Sequence, residues 1–178
     1  MEENVTVATT TPRSAGVRYG IIYGIISIAY FLILTAADID MTQGLGRWGG
    51  TIIAIVLVFL AHKYYKENAD GFMSYGQGIA IGFWMGLVAS AISSIFTYIY
   101  VKFIDASFIT TIREKAIEDM EAKGQSEEQI EMAMKFVDVF MKPEVMLLMG
   151  LIFGIVIIVI IALIISIFTQ KPQPETRI

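Results

Sequence analysis

Four long apolar runs, roughly Val17 to Ala37, Trp48 to Tyr65, Tyr75 to Ile104 and Val145 to Thr169, constrain this chain more than any other feature. A helix crosses the hydrocarbon core of a bilayer with about 20 residues, and the first, third and fourth runs are long enough for that. The second is near the lower limit. It is bounded by Trp48 and by Tyr64 and Tyr65, ring types that favour the headgroup layer. A backbone in lipid must satisfy its own hydrogen bonds, so each run is expected to be a helix. Composition agrees, because 56% apolar residues and a mean hydropathy of +0.66 are too greasy for a soluble domain of 178 residues to cover with polar surface. Glu2 and Glu3 are a poor start for a secretory leader, so the first run is read as a retained span.

Charge orients the spans. The formal net charge of -4 is accounted for between Val101 and Glu144, where ten acidic side chains stand against six basic ones. Four spans put both chain ends on one side. That side holds Arg13, Arg18, Lys63, Lys66, Lys171 and Arg177, all close to span ends, whereas the other has Arg47 in one loop and Lys102 and Lys142 at the borders of the next. Positive charge beside spans stays in the cytoplasm, so the termini are expected there and residues 105–142 outside. If the source is a Gram-negative bacterium, outside means the periplasm.

The stretch "GQGIAIGFWMGLVASAISS", residues 76–94, places Gly78, Gly82, Gly86, Ser90 and Ser94 four residues apart. The first span has Gly16, Gly20 and Gly24, and the fourth Gly150 and Gly154. Such GxxxG rows let two backbones approach closely, which replaces the hydrophobic drive that lipid removes. Three uses are open: packing the monomer's own helices, an interface with a second copy or a partner, or a pore or substrate cavity.

Between the third and fourth spans the sequence reads as an amphipathic helical hairpin. Ile109, Ile112, Ala116 and Met120 form one apolar face opposite Arg113, Glu114, Glu118 and Glu121. Gly124 is a helix stop. "SEEQ" at 126–129 has the capping-box pattern, with Ser126 as N-cap and Gln129 three residues on. The second helix carries Ile130, Ala133, Val137 and Phe140, widened by Met132, Phe136 and Met141, more apolar groups than one stripe can hold. Pro143 suits the first turn of the last span. The expected organisation is an N-terminal disordered tail over 1–16, three spans over 17–104, the acidic hairpin over 105–142, the last span over 143–169 and a tail over 170–178.

Little in the chain points to catalysis or pumping, which need ionisable groups at membrane depth. Asp38 and Asp40 follow the first span, His62 and Lys63 end the second, and Asp105 ends the third. A single histidine excludes a histidine-based metal cluster, and His62 is read as an interfacial residue beside Tyr64 and Tyr65. With no Cys, disulfides and thiolate ligation are excluded. Ser27, Ser90, Ser93, Ser94 and Thr97 have no evident base and are read as interhelical hydrogen-bonding groups. Asp70 and Gly71 fit a tight turn, and the glycine-rich "DIDMTQGLGRWGG", residues 38–50, a flexible outer loop. No cofactor, metal or nucleic acid is expected.

The stretch "YYKENADGFMSYGQGIAIGFWMGLVASAISSIFTYIYVKFID", residues 64–105, has a short basic-aromatic loop, an aromatic before a small-residue helix and an aromatic-rich end. In this order, over residues 17–169, the chain resembles the membrane family called domain of unknown function 4199, found mainly in Bacteroidota. The resemblance implies a four-span inner-membrane protein with no catalytic residues to carry over. It also implies an accessory role beside membrane glycosyltransferases.

The expectation is therefore a non-enzymatic scaffold or accessory subunit, with the bilayer and a protein partner or a second copy as its contacts. Candidate partner contacts are Ile130, Met134, Val137 and Phe140. The competing reading is a small transporter, channel or lipid-binding protein for an uncharged or lipid-like substrate, with a cavity lined by Ser90, Ser94, Thr97 and tyrosines.

Overall fold

The computed structural model describes residues 10–41 and 44–173, and those residues form an all-α protein. Its helices are α1 (Pro12–Ala36), α2 (Gly44–Asn68), α3 (Tyr75–Ile99), α4 (Ser107–Ala122), α5 (Glu127–Phe140) and α6 (Pro143–Thr169). A π-helical turn, Tyr100–Ile104, continues α3. Four helical stretches are long and apolar enough to cross a membrane: α1, α2, α3 with its π turn, and α6. Four such helices are compatible with an integral, multi-pass membrane protein.

Two compact units divide the chain, Met1–Ile92 with Phe153–Ile178, and Ser93–Ile152. In the first unit α1, α2, the first part of α3 and the last part of α6 form a bundle around Ala54, Val58, Ala61, Ile81, Met85, Ile158 and Ala162. The glycine rows set its geometry. A Cβ on Gly16 would lie 2.6 Å from that of Trp84, one on Gly20 2.8 Å from that of Val88, and one on Gly24 2.9 Å from that of Ile92. Both helices advance by four, so α1 and α3 run parallel. The row on α3 meets α6 in the opposite sense, with Gly78 against Ser166, Gly82 against Ala162, Gly86 against Ile158 and Ser90 against Gly154. Helix α2 runs against α1, since Arg18 reaches Tyr64 while Tyr23 bonds the Gly50 carbonyl. One end of this unit thus gathers the start of α1, the end of α2, the start of α3 and the end of α6. Met73 and Lys171 pair their backbones there at 2.8 Å.

The second unit holds the end of α3, the π turn, α4, α5 and the start of α6. Here Ser94 Oγ lies 2.7 Å from where a Gly150 Cβ would be. Helices α4 and α5 are joined at Gly124, whose φ of +74° suits glycine. Arg113 Nε binds Asp138 Oδ1 across the pair at 3.0 Å.

Two expectations about boundaries need correction. Residues 1–9 of the expected tail lie outside the described residues, but helix α1 already starts at Pro12. Thr11 and Ser14 cap it reciprocally, and Pro12 needs no donor at the first position. The glycine-rich segment 38–50 is not a loop throughout. Gly44–Gly50 are the first turns of α2, with Gly46 against the Asp40 carbonyl and Gly49 against the Tyr30 hydroxyl. These glycines serve close approach, a use that composition does not separate from flexibility. In the C-terminal segment Lys171 is tied to Met73, and residues 174–178 lie outside the described residues.

Candidate interaction surface

Helix α5 follows a complete capping box: the Ser126 hydroxyl accepts from the Gln129 amide, and the Gln129 side chain accepts from the Ser126 amide at 2.9 Å. Glu127 and Glu128 in the first turn complement the positive helix end. At 100° per residue the helix has two apolar stripes on opposite sides. Ile130, Met134 and Val137 form the first, and Met134 is 4% exposed. With Ile117 of α4, Ile130 and Met134 line a groove of about 390 Å³ whose rim is Arg113, Glu121, Glu131 and Asp138. Three of the four candidate contacts therefore lie on the α4-facing side. Phe140 does not, being 52% exposed.

The second stripe is Met132, Phe136, Val139 and Phe140. Phe136 is 72% exposed, and the other three are about half exposed. Charges flank the stripe on one side as Glu128, Glu131 and Lys135, of which the last two pair at 2.9 Å. A face that combines aromatic and methionine side chains with a charged border has the chemistry of a docking surface. Spacing in the sequence contained both stripes. What it lacked was which of them α4 covers.

The helix-packing residues meet helices of their own chain. Gly16, Gly20 and Gly24 lie on α3; Gly78, Gly82, Gly86 and Ser90 lie on α6; Ser94 meets Gly150, and Gly154 meets Ser90. Ser90 and Ser94 are buried against glycines.

His62, read from the sequence as an interfacial residue beside two tyrosines, is fully buried within the protein. Its Nδ1 lies 2.8 Å from Thr169 Oγ1 and its Nε2 3.0 Å from the Gly78 carbonyl, which only an N–H on Nε2 can satisfy. Lys66 Nζ donates to the Thr169 carbonyl at 2.9 Å, at the negative end of α6. One imidazole thus joins α2, α3 and α6. A lone histidine beside two tyrosines carries no mark of this, because its partners stand 16 and 107 residues away. Beside it Ser166 Oγ is buried without a hydrogen-bond partner among the described residues.

For catalysis the arrangement offers few convergent groups. Asp105 Oδ1 accepts from the Ser107 amide at 3.0 Å and holds the turn into α4. Asp70 Oδ1 does the same for Phe72 at 3.1 Å, next to Gly71 with φ +81°. Among the described residues no three His, Asp or Glu side chains gather closely enough to hold a metal ion.

The family model described as "Protein of unknown function (DUF4199)" matches residues 18–171. No curated protein and no solved structure matches the chain.

Proposed function

We propose that this chain, which belongs to the DUF4199 family, acts without catalysis, as a scaffold or accessory subunit of an envelope complex in the inner membrane. In this reading α4 and α5 form an extramembrane hairpin on the periplasmic side, and both termini are cytoplasmic. The carrying observation is the second stripe of α5, since Met132, Phe136, Val139 and Phe140 stay exposed after Ile130 and Met134 have been used on α4. The occupant is a membrane-embedded partner protein, with a membrane glycosyltransferase as one candidate, or a second copy. Extraction of the full chain from its native membrane in a mild detergent, followed by mass and composition, tests this. A stoichiometric second polypeptide or a homo-oligomer is expected, and its loss on Phe136→Ser with Phe140→Ser assigns the surface. A lone monomer would sink the reading.

The rival transporter reading needs an open cavity among the spans near Ser90 and Ser94. It is disfavoured because glycines of α6 fill the space in front of both hydroxyls.

A further inference from the structure

The first three turns of α1 carry a groove of about 720 Å³ lined by Arg13, Ser14, Val17, Arg18, Ile21 and Ile22. Each guanidinium rests on an aromatic ring, Arg13 at 4.8 Å from the Trp84 centroid and Arg18 at 4.6 Å from that of Tyr64. The rings are braced in turn: Phe83 meets Trp84 edge-on at 5.6 Å, and Tyr19 meets Tyr64 at 5.7 Å. A guanidinium held over a ring keeps its charge, and with five N–H donors it has several to offer a ligand. One of those donors, Arg18 Nη1, is spent on the Tyr64 hydroxyl at 3.0 Å.

Among the described residues neither arginine has a carboxylate within ion-pair distance, whereas Lys63, Lys102, Arg113 and Lys135 each do. Five residues apart on α1, the two arginines stand about 8 Å apart along the helix axis and line the same groove. Beyond them the same helix face turns apolar, with Ile21 and Ile25 exposed.

Braced cationic forks above a greasy strip, at the edge of a span, match a ligand with a phosphate at one end and hydrocarbon at the other. We propose that Arg13 and Arg18 clamp the phosphate of an anionic phospholipid whose acyl chain lies along Val17, Ile21 and Ile25. Phosphate ester is the recognised chemistry, and the apolar strip beside it suits the hydrocarbon of a lipid ester. Arginine suits this task because its fork meets two phosphate oxygens at once. The site is independent of the scaffold reading and lies on the side of the membrane to which the basic residues assign the cytoplasm.

Native mass spectrometry of the full chain tests it, with palmitoyl-oleoyl phosphatidylglycerol as probe, the phosphatidylcholine of the same chains as reference and glycerol 3-phosphate as soluble competitor. Wild type should retain phosphatidylglycerol over phosphatidylcholine by roughly tenfold or more, since each cation near the surface favours anionic lipid several-fold. R13Q/R18Q should lose the preference, and R113Q, whose arginine is paired with Asp138, should keep it. R13K/R18K keeps the charge but not the fork and should be intermediate; it carries the test if the glutamine variant fails to fold. Equal retention of the two lipids by wild type overturns the proposal, as does an undiminished preference in the variants. Displacement of phosphatidylglycerol by glycerol 3-phosphate would overturn the lipid assignment in favour of a soluble ester.

Discussion

At Gly82 the penalty for a side chain is set by Ala162, whose methyl already occupies the place a Cβ would take. Gly82→Leu should lower stability by about 3 kcal/mol, because overfilling a close-packed contact forces the backbones apart. Gly76, with nothing near its Cβ position, is the control. Gly76→Ala should leave the melting temperature unchanged or slightly raised, glycine being costly within helices by up to about 1 kcal/mol. A normal melt for Gly82→Leu would show that the seam yields. Ser166 makes the opposite prediction. Its hydroxyl is buried without a partner among the described residues, so Ser166→Ala should stabilise the protein by about 1 kcal/mol, read as a higher melting temperature in detergent. A clear loss would mean that the hydroxyl finds a partner in the membrane.

At the scale of elements, what was legible in the sequence was local. Ser126 and Gln129 announced the start of α5 because a capping box closes within four residues, and Pro143 marked the start of α6 for the same reason. Ser126→Ala should destabilise α5 by about 1 kcal/mol, seen as roughly fivefold faster amide exchange over residues 127–140 in the full chain. Unchanged exchange would mean that α4, not the cap, holds the helix. Illegible features were those decided by distant partners. Gly46 and Gly49 looked like a flexible loop because Asp40 and Tyr30, which they approach, are brought there by the fold. The π turn at Tyr100–Ile104 likewise had no signal, although its Asp105 amide bonds the Tyr100 carbonyl at 2.8 Å.

For the molecule as a whole, four spans and their number were plain from hydropathy, and the sidedness rests on basic residues that the first unit brings to one end. Since the chain has no cysteine, single cysteines report that sidedness directly. In cells with a permeabilised outer membrane, an impermeant maleimide should label Gln125→Cys, and Gln173→Cys only after lysis. The reverse pattern would invert the topology and place α4 and α5 in the cytoplasm.

The seam between α3 and α6 has a further property. With tiny residues at every fourth position of α3 and at 154, 162 and 166 of α6, the seam comes close to matching itself after a slide of one helical turn. Gly78 would then meet Ala162, and Gly86 would meet Gly154. A repeat of this kind sets how closely two rods lie without setting how far along one the other starts. That choice falls to an index pin from outside the seam. His62, reaching from α2 to the Gly78 carbonyl on one rod and to Thr169 on the other, occupies that position.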